Sequence, residues 1–279
     1  MTKSSDSEKE KFGIPASAWL TQALENVDSS HDTGRLGVSI VCGDKEFNRC
    51  LNELVQGELS WQKKIVDRET RLVQFATRNG PHMLIDLTEP EKNVKDVLEC
   101  SGDYSLARDM MGRLYPLLQT LKAEQVDMDF GACSESSIIG CLSGLEIAAY
   151  DYRLWRGDME APPAIPGLSI TLSAYSDVPR ELVEQAIAQG YAVNLARHLV
   201  NLPAADLNPE SYAKLVAELF SESDSSTVTV WDIARLQKES MGLMLAVGKA
   251  ADNPPCLIHI RYRNGDHSAK PLALVGKGI

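Results

Sequence analysis

The chain has 279 residues, which is enough for two domains or one large one. Hydrophobic residues make up 44% and charged residues 24%, the ordinary composition of a globular protein with a core. The formal net charge is −11 and no stretch clusters Lys and Arg, which argues against a nucleic-acid partner. No window approaches the roughly 18 apolar residues of a membrane-spanning helix, so no membrane partner is expected.

The first half of the chain predicts strands that alternate with helices. Residues 1–12 are rich in Ser, Lys and Glu and are expected to form a disordered tail, without the apolar segment of a signal peptide. The hydrophobic patterns predict strands at 36–42, 72–76, 83–87, 126–130 and 168–174, and helices at 46–55, 104–121 and 136–155. Gly140 and Gly144 share one face of the last helix, which favours close packing there. This rhythm indicates an α/β fold.

The Pro-rich stretch at 161–167 is the clearest linker-like segment, and the strand at 168–174 after it is expected to be the last of the first domain. A helix then runs to about residue 200, opened by Asp177 and Pro179 as cap and first-turn residue. Beyond it, helices are predicted from residue 209 and over 232–240, and strands at 228–231, 257–262 and 272–275. The expected organisation is a tail at 1–12, a first domain at 13–176, a linking helix at 177–200 and a second domain at 201–279.

The cysteine pattern contains no C-x-x-C motif. The six cysteines are Cys42, Cys50, Cys100, Cys133, Cys141 and Cys256. We interpret them as scattered, reduced core thiols, with a zinc site or a disulfide framework as the alternatives. Reduced thiols favour a reducing compartment.

The last residues combine a short apolar run with a glycine-flanked lysine. The run at 272–275 predicts a buried strand, and Gly276 and Gly278 surround Lys277. A strand that ends in Gly-Lys-Gly places an amine at the carboxyl end of a sheet, where open α/β folds keep their sites. Because no helix, turn or cap follows this strand, we expect a truncated domain.

Five segments in order carry a resemblance to a known family. They are residues 194–203 (NLARHLVNLP), 207–212 (LNPESY), 241–248 (MGLMLAVG), 252–255 (DNPP) and 270–279 (KPLALVGKGI). From about residue 177 the chain therefore resembles the leucyl aminopeptidases of peptidase family M17, which are dinuclear metallo-aminopeptidases. The resemblance implies a macro-like α/β domain, followed by the start of a zinc-exopeptidase-like α/β/α catalytic domain.

The same resemblance implies a function. The full-length protein would be a cytoplasmic homo-hexamer that hydrolyses N-terminal residues from peptides with a water activated by two divalent ions, Zn²⁺ or Mn²⁺. Lys277 is implied as a metal ligand. The other ligands and the catalytic groups of the family lie beyond Ile279, so no catalytic residue is assigned and this chain alone is expected to be inactive. The alternative is a non-catalytic binding or assembly module of the same family, such as a DNA-binding or hexamer-forming regulator, and the coding sequence after Ile279 distinguishes the two.

The sequence departs from the family pattern at three scaffold positions. His198 stands where the family commonly has Asp, Leu202 where it often has Thr, and Cys256 where it often has Arg. We interpret His198 as a satisfied helix-face histidine and His259 as a solvent-facing strand residue. The remaining basic candidates lack ligand spacing or fit a solvated helix end; they are His31, His82, His267, Arg153 and Arg156.

Overall fold

The structure is a computed structural model, and it describes residues 36–55, 71–77, 80–88, 103–123, 125–152, 169–172, 178–265, 268 and 270–278. The predicted tail at 1–12, the Pro-rich stretch at 161–167, Asp177, Cys100, His31, His267, Arg153 and Arg156 lie outside these residues. The chain divides into two compact units, and the division falls between His198 and Leu199. We call residues 36–198 the first unit and residues 199–278 the second unit. The domain boundaries expected from the sequence stay a prediction.

A five-stranded mixed sheet forms the centre of the first unit. Its strands are β1 (Leu36–Val41), β2 (Leu72–Thr77), β3 (Gly80–Asp86), β4 (Gln125–Asp129) and β5 (Ser169–Leu172). They lie in the order β2-β3-β1-β4-β5. Strands β3, β1, β4 and β5 are parallel, and β2 pairs antiparallel with β3 as the predicted hairpin. The predicted α/β fold is confirmed.

Helices cover both faces of this sheet. They are α1 (Asp44–Leu54), α2 (Asp103–Thr120), α3 (Glu135–Ala148) and α4 (Arg180–Asn201), the last of which runs across the division between the units. Because strand side chains alternate between faces, Val38 and Ile40 join α2, α3 and α4 in the larger core cluster. Val41 joins Phe47 of α1 in the smaller cluster on the other face.

Three glycines bring helix α3 to backbone contact with its neighbours. A Cβ atom on Gly140 would lie 2.5 Å from the Tyr104 carbonyl oxygen of α2, and one on Gly144 would lie 2.8 Å from Arg108 Cα and its carbonyl oxygen. On helix α4, a Cβ on Gly190 would lie 2.8 Å from the Ser143 carbonyl oxygen. These positions leave no room for a methyl group, which confirms the close packing predicted for the first two.

The second unit is built from three helices and two strands. They are α5 (Pro209–Leu219), β6 (Ser226–Trp231), α6 (Ile233–Lys238), α7 (Gly242–Gly248) and β7 (Leu257–Tyr262). Strands β6 and β7 pair antiparallel. Helix α5 begins with a capping box, in which Asn208 Oδ1 accepts from the Ser211 N–H at 3.1 Å and Ser211 Oγ accepts from the Asn208 N–H at 3.0 Å. Among the described residues, the second unit has one core cluster, whose buried apolar side chains are Leu202 and Leu215.

None of the helices in the described ranges is long and apolar enough to cross a bilayer.

Substitution of Gly144 by alanine should lower the free energy of unfolding of the first unit by about 1–3 kcal/mol, because the methyl group must push α2 away from α3. Gly112 of α2 is the matched control, since a Cβ there meets nothing within 4 Å. Gly112→Ala should be neutral or stabilising by up to about 1 kcal/mol. Urea unfolding followed by circular dichroism measures both. Equal effects of the two substitutions would contradict the close contact.

The stability of the first unit should fall between pH 7 and pH 5 because of His82. Burial lowers the pKa of His82 from 6.5 to about 4, with Asp129 opposing the shift, and His82 Nε2 lies 3.0 Å from Ser39 Oγ. Below pH 6.5 the unfolded chain takes up a proton that the folded chain excludes, so the free energy of unfolding drops by at most about 1.4 kcal/mol per pH unit. His82→Gln should flatten this slope in urea titrations at pH 7, 6 and 5. His259→Gln, at an exposed position of β7, should keep it.

Candidate functional site

Lys277 lies in an exposed segment at residues 270–278 that is neither helix nor strand. On either side of it, a Cβ atom added to Gly276 or Gly278 would meet nothing within 4 Å. The apolar side chains before it are equally uncovered, with exposed fractions of 87% for Leu272 and 96% for Val275. The lysine amine is therefore open to any group that approaches this segment.

The buried strand predicted at 272–275 does not form. A strand needs a neighbour for its backbone N–H and C=O groups. In the described part of the second unit, the two strands β6 and β7 pair only with each other. The apolar pattern of residues 272–275 therefore favours burial, but these residues are not buried.

The donor atoms near Lys277 do not fit a dinuclear metal site by themselves. Such a site needs several oxygen or nitrogen ligands around each ion. Across the residues whose placement is described, no group of three or more His, Cys, Asp or Glu side chains could hold a metal ion. One amine cannot coordinate two ions, so the ligand role implied for Lys277 requires carboxylates from outside these residues.

The polar residues of the 194–203 segment connect α4 to the end of α3. Asn194 Nδ2 donates to the Glu146 carbonyl oxygen at 2.6 Å, and Arg197 Nη1 donates to the Ile147 carbonyl oxygen at 2.9 Å. The last carbonyl groups of a helix have no partner within it. These two side chains supply donors at the end of α3, which stops at Ala148 rather than continuing to residue 155 as predicted.

The contacts of His198 indicate a structural role. Its side chain is buried on α4, Nδ1 lies 3.3 Å from Tyr150 Oη, and the ring packs against Tyr152 with centroids 5.5 Å apart. This arrangement agrees with the interpretation as a satisfied histidine. His259 is exposed on β7, as expected, and His82 hydrogen-bonds to Ser39 of the neighbouring strand β1.

The structure brings together two cysteines that sequence spacing does not pair. Cys42 follows β1 and Cys133 follows β4, and their Sγ atoms are 3.3 Å apart. The sequence pattern joins each of them instead to a cysteine eight positions later, Cys50 or Cys141. The sequence does hold a signal for this pair, because Cys42 ends one predicted strand and Cys133 closely follows another, and the two strands are parallel neighbours in the structure.

The catalytic-domain model of the cytosol aminopeptidase family matches residues 194–279 of the chain. Among curated proteins, the probable cytosol aminopeptidase of Tropheryma whipplei is 30% identical over 174 residues, which are 62% of this chain and 34% of that protein. The probable cytosol aminopeptidase of Syntrophotalea carbinolica is 37% identical over 142 residues, covering 50% of this chain and 28% of that protein. The chain thus spans about a third of the length of the curated relatives it matches.

A solved structure of a mutant tomato leucine aminopeptidase resembles the fold. It has a TM-score of 0.57 at 17% identity, covering 90% of this chain and 54% of that chain. This likeness concerns the architecture, whereas the sequence match of residues 194–279 concerns the family. As its motifs indicate, residues 194–279 are similar to the catalytic domain of the M17 cytosol aminopeptidases.

Proposed function

We propose that this chain is the N-terminal portion of a metal-dependent leucyl aminopeptidase that hydrolyses N-terminal residues from peptides. The observation that carries the proposal is the match of residues 194–279 to the catalytic-domain model of the cytosol aminopeptidase family. Further support comes from the curated relatives, which are cytosol aminopeptidases and about three times as long as the matched part.

In this proposal Lys277 is a metal ligand. Its support is the exposed amine between two glycines, around which the backbone leaves open space for other ligands. When bound, two divalent ions would acidify a water molecule and polarise the peptide carbonyl group. The contribution of this chain is to place the Lys277 amine there, while the carboxylate ligands come from residues outside it.

The apolar surface of the second unit supports a continuation of the catalytic domain as its cover. Six apolar side chains of this unit have more than two thirds of their surface accessible, namely Val200, Leu243, Val247, Leu272, Leu274 and Val275. Leu243 and Val247 lie on α7, within the 241–248 segment of the family resemblance. A domain rarely exposes so many large apolar side chains unless another surface covers them.

Several finer properties belong to the same proposal. We infer Zn²⁺ or Mn²⁺ as the ions, a homo-hexamer as the assembly, a macro-like fold for the first unit and a cytoplasmic location. The names of the curated relatives support the location. The mixed sheet with helices on both faces is compatible with the macro-like fold.

Turnover and metal content of the protein encoded by the full reading frame test this function. That protein should hydrolyse a leucyl substrate with Zn²⁺ or Mn²⁺, whereas the 279-residue chain should not, because it lacks the other ligands. Lys277→Ala in the full-frame protein should lower metal affinity and turnover by at least about 100-fold, since loss of outer-shell partners alone costs about 10–100-fold.

Lys270→Ala provides the matched control, because Lys270 is exposed in the same segment and precedes the apolar run. It should leave turnover and metal content unchanged. Activity in the purified 279-residue chain would mean that the active site is elsewhere. A stop codon directly after Ile279 would favour the non-catalytic module instead.

The 279-residue chain should associate through the apolar segment before Lys277. Sedimentation velocity over a range of concentrations should show oligomers, and Leu272→Ser combined with Leu274→Ser should reduce them, because their exposed fractions are 87% and 90%. Leu117→Ser is the control, since Leu117 of α2 is 37% exposed in the first unit. If the chain stays monomeric at every concentration, the exposed apolar segment does not act as a docking surface, and the prediction is wrong.

A further inference from the structure

Cys42 and Cys133 lie side by side at the carboxyl edge of the five-stranded sheet. Strands β1 and β4 are parallel neighbours, with Ser39 paired to Asp129, so the two cysteines follow the same end of adjacent strands. Adjacent strands lie about 4.8 Å apart. The Sγ atoms of Cys42 and Cys133 are 3.3 Å apart, so the two thiols are close enough for a covalent bridge to form between them.

Backbone hydrogen bonds fix both cysteines in place. The Cys133 N–H donates to the Phe130 carbonyl oxygen at 2.9 Å and closes a turn that contains Gly131 at φ 47°. Next to Cys42, the Gly43 N–H donates to Thr88 Oγ1 at 2.8 Å. The Sγ atoms are 3.3 Å apart, so side-chain rotation has to bring them only about 1 Å closer to form a bond.

The two thiols have unequal acidity. A hydrogen bond from Cys133 lowers the pKa of Cys42, and Ser137 lowers it further. Burial and the carboxylates of Asp103 and Asp86 act in the opposite direction. The hydrogen bond with Cys42 and burial raise the pKa of Cys133. Cys42 is therefore the more acidic thiol of the pair.

The pair also differs from its neighbours in access. Cys42 and Cys133 are both partly exposed, whereas Cys50 and Cys141 are buried. Burial raises the pKa of both buried thiols. Oxidation of cysteine follows thiolate character and access, so among the described cysteines of this unit Cys42 and Cys133 are the ones most open to oxidation.

We propose that Cys42 and Cys133 form a reversible disulfide when the protein meets a peroxide, which makes this sheet edge a redox-modification site. The five described cysteines are free thiols, in agreement with the interpretation from the sequence, and the proposal adds a reversible oxidation at two of them. The inference is independent of the aminopeptidase function, because both residues lie in the first unit and outside residues 194–279.

The reaction balances with hydrogen peroxide as the oxidant. The Cys42 thiolate attacks one peroxide oxygen and breaks the O–O bond, giving a Cys42 sulfenic acid and hydroxide, which takes up a proton to become water. The Cys133 sulfur then attacks the Cys42 sulfur, and the sulfenic hydroxyl leaves as a second water with the thiol proton. The two thiols lose two electrons and two protons, and the peroxide gains them.

Peptide mapping after peroxide treatment tests the bridge. The reduced 279-residue chain is treated with hydrogen peroxide, alkylated with iodoacetamide under denaturing conditions and digested without reductant. We expect one cross-linked peptide pair joining Cys42 to Cys133, lighter by two hydrogen atoms than the two thiol peptides and reversed by dithiothreitol. Cys50, Cys141 and Cys256 should be recovered alkylated.

Substitution of Cys133 distinguishes a redox role of the pair from a role in packing alone. In Cys133→Ala, the bridge should disappear, Cys42 should accumulate as a sulfenic acid that dimedone traps, and alkylation of native Cys42 at pH 7 should slow about tenfold because its pKa rises. Cys256→Ala, in the second unit, should change none of these. Alkylation of both Cys42 and Cys133 after peroxide treatment of the unsubstituted chain, or their conversion to sulfinic acids without a bridge, would overturn the proposal.

Discussion

Helix α3 approaches the backbones of helices α2 and α4 at Gly140, Gly144 and Gly190 so closely that none of the three positions can hold a methyl group. This contact determines where α4 lies. It brings Asn194 and Arg197 to the last carbonyl groups of α3, where they donate hydrogen bonds. Residue 194 is also where the match to the cytosol aminopeptidase catalytic domain begins. The polar residues that start the matching region therefore serve the packing of the first unit.

The two units differ in how completely they bury their apolar residues. In the first unit, side chains from four strands and three helices share one large cluster. In the second unit, the one cluster among the described residues has Leu202 and Leu215 as its buried members, while Val275 and Leu274 are almost wholly accessible. Hydrophobic burial scales with area, so the second unit contributes little stability of its own. A site at Lys277 accordingly depends on a surface that completes this unit.

Local pattern was sufficient to predict most elements and insufficient to predict their partners. The periodicity of apolar residues gave β1, α2 and the β2–β3 hairpin close to their observed bounds, because each pattern reflects one buried face. The strand expected at 272–275 failed because pairing depends on a neighbour that sequence periodicity does not specify. Helix α7 was not predicted, since the apolar run around Met244 lacks a polar face to mark helical periodicity. The contact of Cys42 with Cys133 was missed because 91 residues separate them. For the candidate site, only the family resemblance implied Lys277 as a metal ligand, and this role stays a proposal.

The described residues of the first unit form one part of the chain that precedes the second unit. This affects the order in which the two units can fold during synthesis. Every strand of the five-stranded sheet and nearly all of α4 precede Leu199. At about 5–20 residues per second, a ribosome needs roughly 4–16 s to make the remainder of this chain. Mixed α/β domains fold within about milliseconds to seconds. The glycine-mediated helix contacts can therefore form while the ribosome is still adding β6 and β7, so the nascent second unit emerges beside an already folded neighbour rather than an unfolded chain.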